Sequence, residues 1–407
     1  MKFIKNGMML NFSQIIILFT SLLFQILLVN LFNVHEVGEI SSLIALTNIL
    51  SNLFCFGISN FIISKFYNGF DELIHYTQVL KKYIGISFVL SLLLYLTISF
   101  EITKSHMYAI YFTPILFCLT LVSVYISFLQ IKSKFFLMSI FIIIVPLIKL
   151  ISLSLGYFFN NKNIFPMILF ILSLCFFVYL SLMVYQIFNK SGNKNVKFIV
   201  FCKEVFPYGI LNLSFLIYTN ASIVILGVMG LQHFSAYLST TYLIINSIIM
   251  IPNMLVQKVF GVKIRKYIEE KNEFIFDLRK KAAKYLVLYF ILILVIYYLI
   301  GKPIFFILFN NQADNILFTF NYFLISIFFR LVNILNGEIT ASIQFVKTRV
   351  KAEIFMSIIL IISIFLISFT KNYIYILTLL IFIDIIWSFI YSILARRVLK
   401  INWDNKR

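Results

Sequence analysis

Charged residues are scarce. Asp, Glu, Lys and Arg make up 12% of the 407 residues, against 62% hydrophobic residues and a mean hydropathy of +1.01. A soluble domain carries roughly a quarter charged residues, so a water-soluble globule is excluded. Proline and glycine are also few, at six and 13. That excludes a low-complexity linker. The four cysteines, Cys55, Cys118, Cys175 and Cys202, are scattered in or beside apolar runs with no C-x-x-C. They are expected to be small buried hydrophobes, in neither disulfide nor metal site. No H-E-x-x-H, P-loop or G-x-S-x-G pattern occurs. His35, His75, His106 and His233 share no spacing. No cofactor, metal or catalytic residue is expected, and the chain is not read as an enzyme.

What is present is apolar length. A spanning helix needs about 20 mostly apolar residues. Twelve such segments are expected near 11–32, 39–62, 80–100, 107–130, 135–158, 164–188, 205–229, 233–257, 285–309, 316–338, 350–370 and 373–395. The runs are continuously apolar and do not alternate, which favours helices over a transmembrane barrel. No loop between them exceeds about 27 residues, and a membrane-embedded polymerase or glycosyltransferase would want a large outer loop. The first run is too long for the apolar core of a cleavable signal, so the start reads as a short cytoplasmic tail.

Basic residues fix the expected orientation. With the N-terminus in the cytoplasm, outer loops hold only Lys104, Lys162, Lys302 and Lys371 of the 34 Lys and Arg. Lys149 and Arg330 fall inside spans, and all the others lie in tails and inner loops. This is a strong positive-inside bias, with both termini cytoplasmic. The net charge of +19 is explained by an anionic inner leaflet, without nucleic acid. The inner stretch from Phe260 to Lys284 places Ile264, Ile268, Ile275 and Leu278 on one helical face. It reads equally as a surface helix or a solvated hairpin.

The halves look alike. A basic connector near 189–204 divides a lobe of residues 1–195 from one of 196–407, with six spans each. A shift of about 197 residues lays "LFNVHEVGEISSL" beside "VMGLQHFSAYLST", which suggests a duplication.

Three charges lie deep in spans: Lys149, Arg330 and Asp384. Each costs about 2.5–3.5 kcal/mol on insertion scales, so each should face a cavity or a partner. Ser326, Arg330, Asn333 and Gly337 share a face, as do Lys149, Ser152 and Gly156, and Asp384, Ser388 and Tyr391, with Trp387 beside the last. Asn48, Asn52 and Asn220 add polar positions. These faces line a shared lumen or serve as helix–helix glue. Arg330 and Asp384 either pair or act separately, Arg330 as an anion clamp and Asp384 in ion coupling. Lys149 has no acid at comparable depth in its half, which suits an arriving anion.

Three stretches carry a family resemblance. "NVHEVGEISSLIALTNIL", "FPYGILNLSFLIYTNASIVILGVMGLQHFSAYLSTTYLIINSIIMIPNML" and "GKPIFFILFNN" resemble a first outer turn with second span, a seventh and eighth span, and the end of a ninth span in polysaccharide (O-antigen unit) flippases. That family shares a superfamily with multidrug-and-toxin extruders and lipid II flippases. The chain departs at Ser222, where members often carry an acid, and at Asn310, where they often carry glycine. The resemblance implies an all-α polytopic fold of about 12 helices in two six-helix lobes, MATE-like, working by alternating access about a central cavity. It implies undecaprenyl-diphosphate-linked oligosaccharide as cargo, a bacterial inner-membrane location, a role in O-antigen lipopolysaccharide synthesis, and membrane lipids, H⁺ or Na⁺, a polymerase and a chain-length regulator as partners. On that reading Lys149 and Arg330 meet the diphosphate. Asn48, Asn52, Asn220 and Asn333 bond sugar hydroxyls, and Trp387 or Tyr391 stacks on sugar rings. A multidrug or cation antiporter of the same fold is the alternative. It would want more carboxylates than one deep acid against two deep bases.

Overall fold

The computed structural model describes residues 2–404 apart from 67–75, 104–105, 189–196, 257–263, 265–266, 269, 271–273 and 341–345. The described residues form helices and turns and no strand. In hydrocarbon every backbone N–H and C=O must bond within its own segment, and long apolar runs meet that only as helices.

Unit 1 covers Met1–Ala236 and unit 2 covers Tyr237–Arg407. Unit 1 begins with α1 (Lys2–Leu31), α2 (Val34–Cys55), α3 (Ile58–Phe66) and α4 (Thr77–Ile102). It continues with α5 (His106–Ile131), α6 (Phe135–Phe158), α7 (Ile164–Phe188) and α8 (Phe198–Val228). The boundary falls early in α9 (Gln232–Leu255). Unit 2 contains α10 (Phe274–Ile296), a π-helical turn (Tyr297–Gly301), α11 (Lys302–Phe309), α12 (Ala313–Thr340), α13 (Val346–Ser368) and α14 (Tyr373–Asp404). The long helices coincide with the twelve expected segments. Ten described stretches are long and apolar enough to cross a membrane, and the last part of α8 is a shorter apolar helix. This is a multi-pass membrane protein.

The second segment is broken, contrary to expectation. α2 stops at Cys55, and Gly57 has φ +78° before α3 starts. A left-handed residue cannot continue a right-handed helix, and glycine adopts it at least cost. A side chain is also excluded there, since a Cβ on Gly57 would lie 2.3 Å from the backbone N of Gly209. The ninth segment is likewise irregular, with its π-helical turn just ahead of Pro303. Proline lacks the amide that the regular ladder needs.

In unit 1, α2 packs on α8 and α5, α1 on α6, and α5 on α7. The α2 start is set by a capping box: Asn33 Oδ1 accepts from Glu36 N at 2.9 Å and Glu36 Oε2 accepts from Asn33 N at 3.0 Å. Lys162 donates to the same carboxylate at 2.7 Å, tying the α6–α7 turn to the α1–α2 turn. At the opposite end Phe61, Phe66, Phe128, Phe188 and Phe201 close the core around α3. Lys65 caps that cluster, paired with Glu204 and lying 4.6 Å from the Tyr76 ring centre. Burial alone would lower the Lys65 pKa; Glu204 and Tyr76 outweigh it and hold the ammonium above the usual lysine range.

In unit 2, α12 packs on α14, α14 on α13, and α10 on α12. The same neighbours recur in unit 1 as α5 on α7, α7 on α6, and α4 on α5. Within unit 1, Ser235 Oγ at the start of α9 donates to Gly38 O on α2 at 3.4 Å. Of the inner stretch, Ile264, Ile268 and Ile275 are buried, and 274–284 is the beginning of α10. The rest of that stretch lies largely outside the described residues.

Candidate functional site

The stretch "FLISIFFRLVNIL" forms the middle of α12, with Arg330 facing α14. Arg330 Nε donates to Asp384 Oδ2 at 2.9 Å, and Ser326 Oγ, one turn earlier, donates to the same oxygen. The guanidinium carbon lies 4.8 Å from the ring centre of Tyr242 on α9. Asp384 is only 1% exposed. An anion and a cation are thus neutralised at one depth, joining α12 to α14 and resting on an aromatic face. The guanidinium is engaged by a carboxylate, so its charge is not standing open for cargo.

Where α13 meets α14 beside the end of α12, a second buried cluster appears, which sequence reasoning missed. Arg349 Nε donates to Glu353 Oε1 at 2.7 Å, and Tyr391 Oη donates to the same oxygen. Arg349 Nη1 also reaches Gly337 O at 3.2 Å. Glu353 is buried, as is Glu338, which alters the expected charge balance of one deep acid: among the described residues unit 2 holds three buried acids, of which Asp384 and Glu353 are each paired with an arginine. The signal was Arg349 and Glu353 at i, i+4, hidden because Arg349 reads as a loop cation just outside the apolar run. Arg279 and Ser392 flank Asn336 on the same side, at 3.4 and 2.9 Å.

Trp387 and Tyr391 are both buried, with ring centres 5.9 Å apart and planes 21° from parallel. They stack on one another. Asn333 Oδ1 is buried and has no hydrogen-bond partner among the described residues. That unsatisfied acceptor, about one turn beyond Arg330 on α12, wants a donor.

In unit 1 the positions behave differently. Lys149 sits half-buried in α6, with no hydrogen bond or ion pair among the described residues. Its stripe companions are structural: Ser152 Oγ donates to Ile148 O at 2.7 Å, and Gly156 admits Phe165, whose Cβ would stand 3.1 Å from an added methyl. Asn48 and Asn52 are half-buried on α2, and Asn52 Nδ2 donates to Asn48 O at 3.2 Å. Asn220, half-buried on α8, donates to Leu216 O and Thr219 Oγ1. Those amides satisfy part of their capacity within their own helices and keep further donors and acceptors. Ser222, the departure from the resembled pattern, is fully buried and its Oγ has no partner among the described residues. Of the cysteines, Cys55 and Cys118 are buried as expected, whereas Cys175 is exposed on α7 and Cys202 half-exposed on α8. In a spanning helix an exposed cysteine faces lipid, where a thiol costs little. No group of three His, Cys, Asp or Glu is placed to hold a metal among the described residues.

A scan against protein-family models finds no match, and a search of curated proteins finds none either. Solved structures do match. A multidrug resistance MATE family transporter of the MOP superfamily aligns over 98% of this chain and 96% of its own at TM-score 0.67, with 12% identity. A MOP superfamily transporter from Pyrococcus furiosus, described by the reverse polarity of its binding pocket, aligns over 98% and 96% at TM-score 0.55, with 12% identity. A eukaryotic MATE transporter aligns over 99% and 100% at TM-score 0.52, with 14% identity. At such identities the likeness establishes the fold: this chain has the all-α MATE/MOP fold.

Proposed function

We propose that the protein is a flippase of the polysaccharide-unit type, carrying undecaprenyl-diphosphate-linked oligosaccharide across a bacterial inner membrane by alternating access. The observation that supports this is Lys149. An unpaired ammonium deep in a spanning helix is costly, and it is rational where an anionic headgroup arrives to neutralise it. Arg330 and Asp384 form a neutral element in unit 2, where protonation of Asp384 by an incoming H⁺ would release the guanidinium. Asn48, Asn52, Asn220 and Asn333 supply amide groups for sugar hydroxyls. On this reading Trp387 and Tyr391 meet a sugar ring only after their mutual stack opens.

The test is export in the parent cell. Deletion should pile up lipid-linked oligosaccharide on the inner leaflet. Lys149→Ala should cut surface polysaccharide at normal protein level, and Lys149→Arg should retain part of it. Normal polysaccharide in the alanine variant would remove the anion site. Normal polysaccharide after deletion would remove the flippase reading altogether.

A second reading, a multidrug antiporter, draws support from the described activity of several proteins that share the fold. For the neighbour from Pyrococcus furiosus, the reverse polarity of the binding pocket is described as suggesting a different function. Drug-efflux assays in the deletion strain separate the two readings.

A further inference from the structure

At one end of unit 1, where three helices terminate, a cavity of about 220 Å³ opens beside the α5–α6 turn. Its walls are Tyr125, Leu129, Leu137 and Met183, and its rim is Lys132, Lys134 and Gln186. The turn is tight, with Ser133 at φ +54°, so both lysines project from one short corner. Both are exposed, and no carboxylate lines the cavity among the described residues.

Three features make this corner attractive to an anion. The two ammonium groups lie within three residues of each other. The first turn of α6 begins at Lys134, whose side chain makes no capping bond, leaving backbone N–H groups at a positive helix end. Near the end of α5, Phe128 O accepts from Lys132 N, Leu129 O from Lys134 N and Gln130 O from Ser133 N, so these three carbonyls are engaged in the turn. The remaining features select the kind of anion. The cavity has the scale of a headgroup and its walls are greasy. The adjoining flanks of α6 and α7 expose Leu137, Tyr179 and Leu182, which in a bilayer touch acyl chains. The lysine distribution also assigns this end to the cytoplasmic leaflet, where anionic lipids concentrate.

We infer that the corner formed by α5, the Lys132–Lys134 turn and α7 is a binding site for one anionic phospholipid. The phosphodiester sits between Lys132, Lys134 and the α6 N-terminus, Gln186 bonds the glycerol or headgroup hydroxyls, and the chains run down α6 and α7. A free phosphate would satisfy the rim and leave the apolar walls unused, so the occupant is a lipid.

The experiment is native mass spectrometry of the full chain in detergent, titrated with dioleoyl phosphatidylglycerol or with dioleoyl phosphatidylcholine. The first phosphatidylglycerol should bind roughly tenfold or more tighter than phosphatidylcholine, the scale expected from two lysines at a membrane surface. Lys132→Gln/Lys134→Gln should reduce that preference to about twofold or less, the residue expected from other surface charges. Lys280→Gln/Lys281→Gln, removing two exposed lysines elsewhere, should leave it intact. Thermal unfolding of each variant confirms that the fold survives. Retention of the full preference by the Lys132/Lys134 variant, or an equal loss in the Lys280/Lys281 variant, overturns the site. Displacement of phosphatidylglycerol by millimolar inorganic phosphate would overturn the lipid assignment in favour of a bare anion site.

Discussion

Arg330 is kept in the membrane by Asp384. The pair satisfies both charges at one depth, and Ser326 completes the carboxylate's coordination. Removing one partner strands the other, which costs about 3–5 kcal/mol for a buried pair. Asp384→Asn and Arg330→Gln should therefore each lower the unfolding temperature in detergent and reduce transport. The exchange Arg330→Asp/Asp384→Arg should recover much of both. Failure of the exchange to recover transport while stability returns would assign one of the two a role beyond pairing. At this scale much was legible: a guanidinium at the centre of "FLISIFFRLVNIL" demands a partner or a cavity, and only one acid shares its depth. Glu353 was not legible, because burial at the end of a span depends on which helix covers it, here α14 through Tyr391. Asn310 is a quieter case. Its φ is +46°, a conformation that suits glycine, so the departure from the resembled pattern keeps the backbone shape at some cost in strain.

The helices meet where side chains are small. Gly38 on α2 faces Gln232, and an added Cβ would stand 1.9 Å from the Gln232 carbonyl oxygen. Gly227 faces Ser42 in the same way, with a Cβ 2.4 Å from its Oγ. Ser42 and Ser235 hydrogen-bond each other at 2.7 Å, and both reach Ile223 O. Without a hydrophobic driving force between helices in lipid, close approach and such bonds hold α2 to α8. Gly38→Ala should destabilise by about 1–3 kcal/mol, because a backbone atom has to move. Gly85→Ala, on α4 with nothing within 4 Å, should be neutral or stabilising by up to ~1 kcal/mol through helix propensity. Thermal unfolding of the two variants side by side checks the contrast; equal effects would refute the close contact. The resemblance placed Gly38 in a stretch like an outer turn and its following span. It did not mark it as a packing glycine, because the atom that excludes a methyl group lies 194 positions away. The break at Gly57 escaped for the same reason: the chain stays apolar through it, and the bend answers to Gly209.

Over the whole chain, charge placement predicts a topology: Lys and Arg cluster in the loops expected to be cytoplasmic. With the four native cysteines replaced by alanine, Lys162→Cys and Lys371→Cys should react with a membrane-impermeant maleimide in right-side-out membranes. Ser133→Cys and Lys280→Cys should react only after permeabilisation. Labelling of the second pair from outside would invert the topology and move the lipid corner to the other leaflet.

What this sequence determined alone was that its long apolar segments form helices long enough to cross a membrane. Lipid imposes its demands locally, on every 20 consecutive residues, and a one-dimensional reading can register them. What only the tertiary structure decided was which polar residue has a partner. Arg330, Glu353 and Tyr391 are matched through contacts between distant helices, and Lys149 is left without one among the described residues. Periodicity reports the face of a helix on which a side chain stands, whereas packing determines what stands opposite.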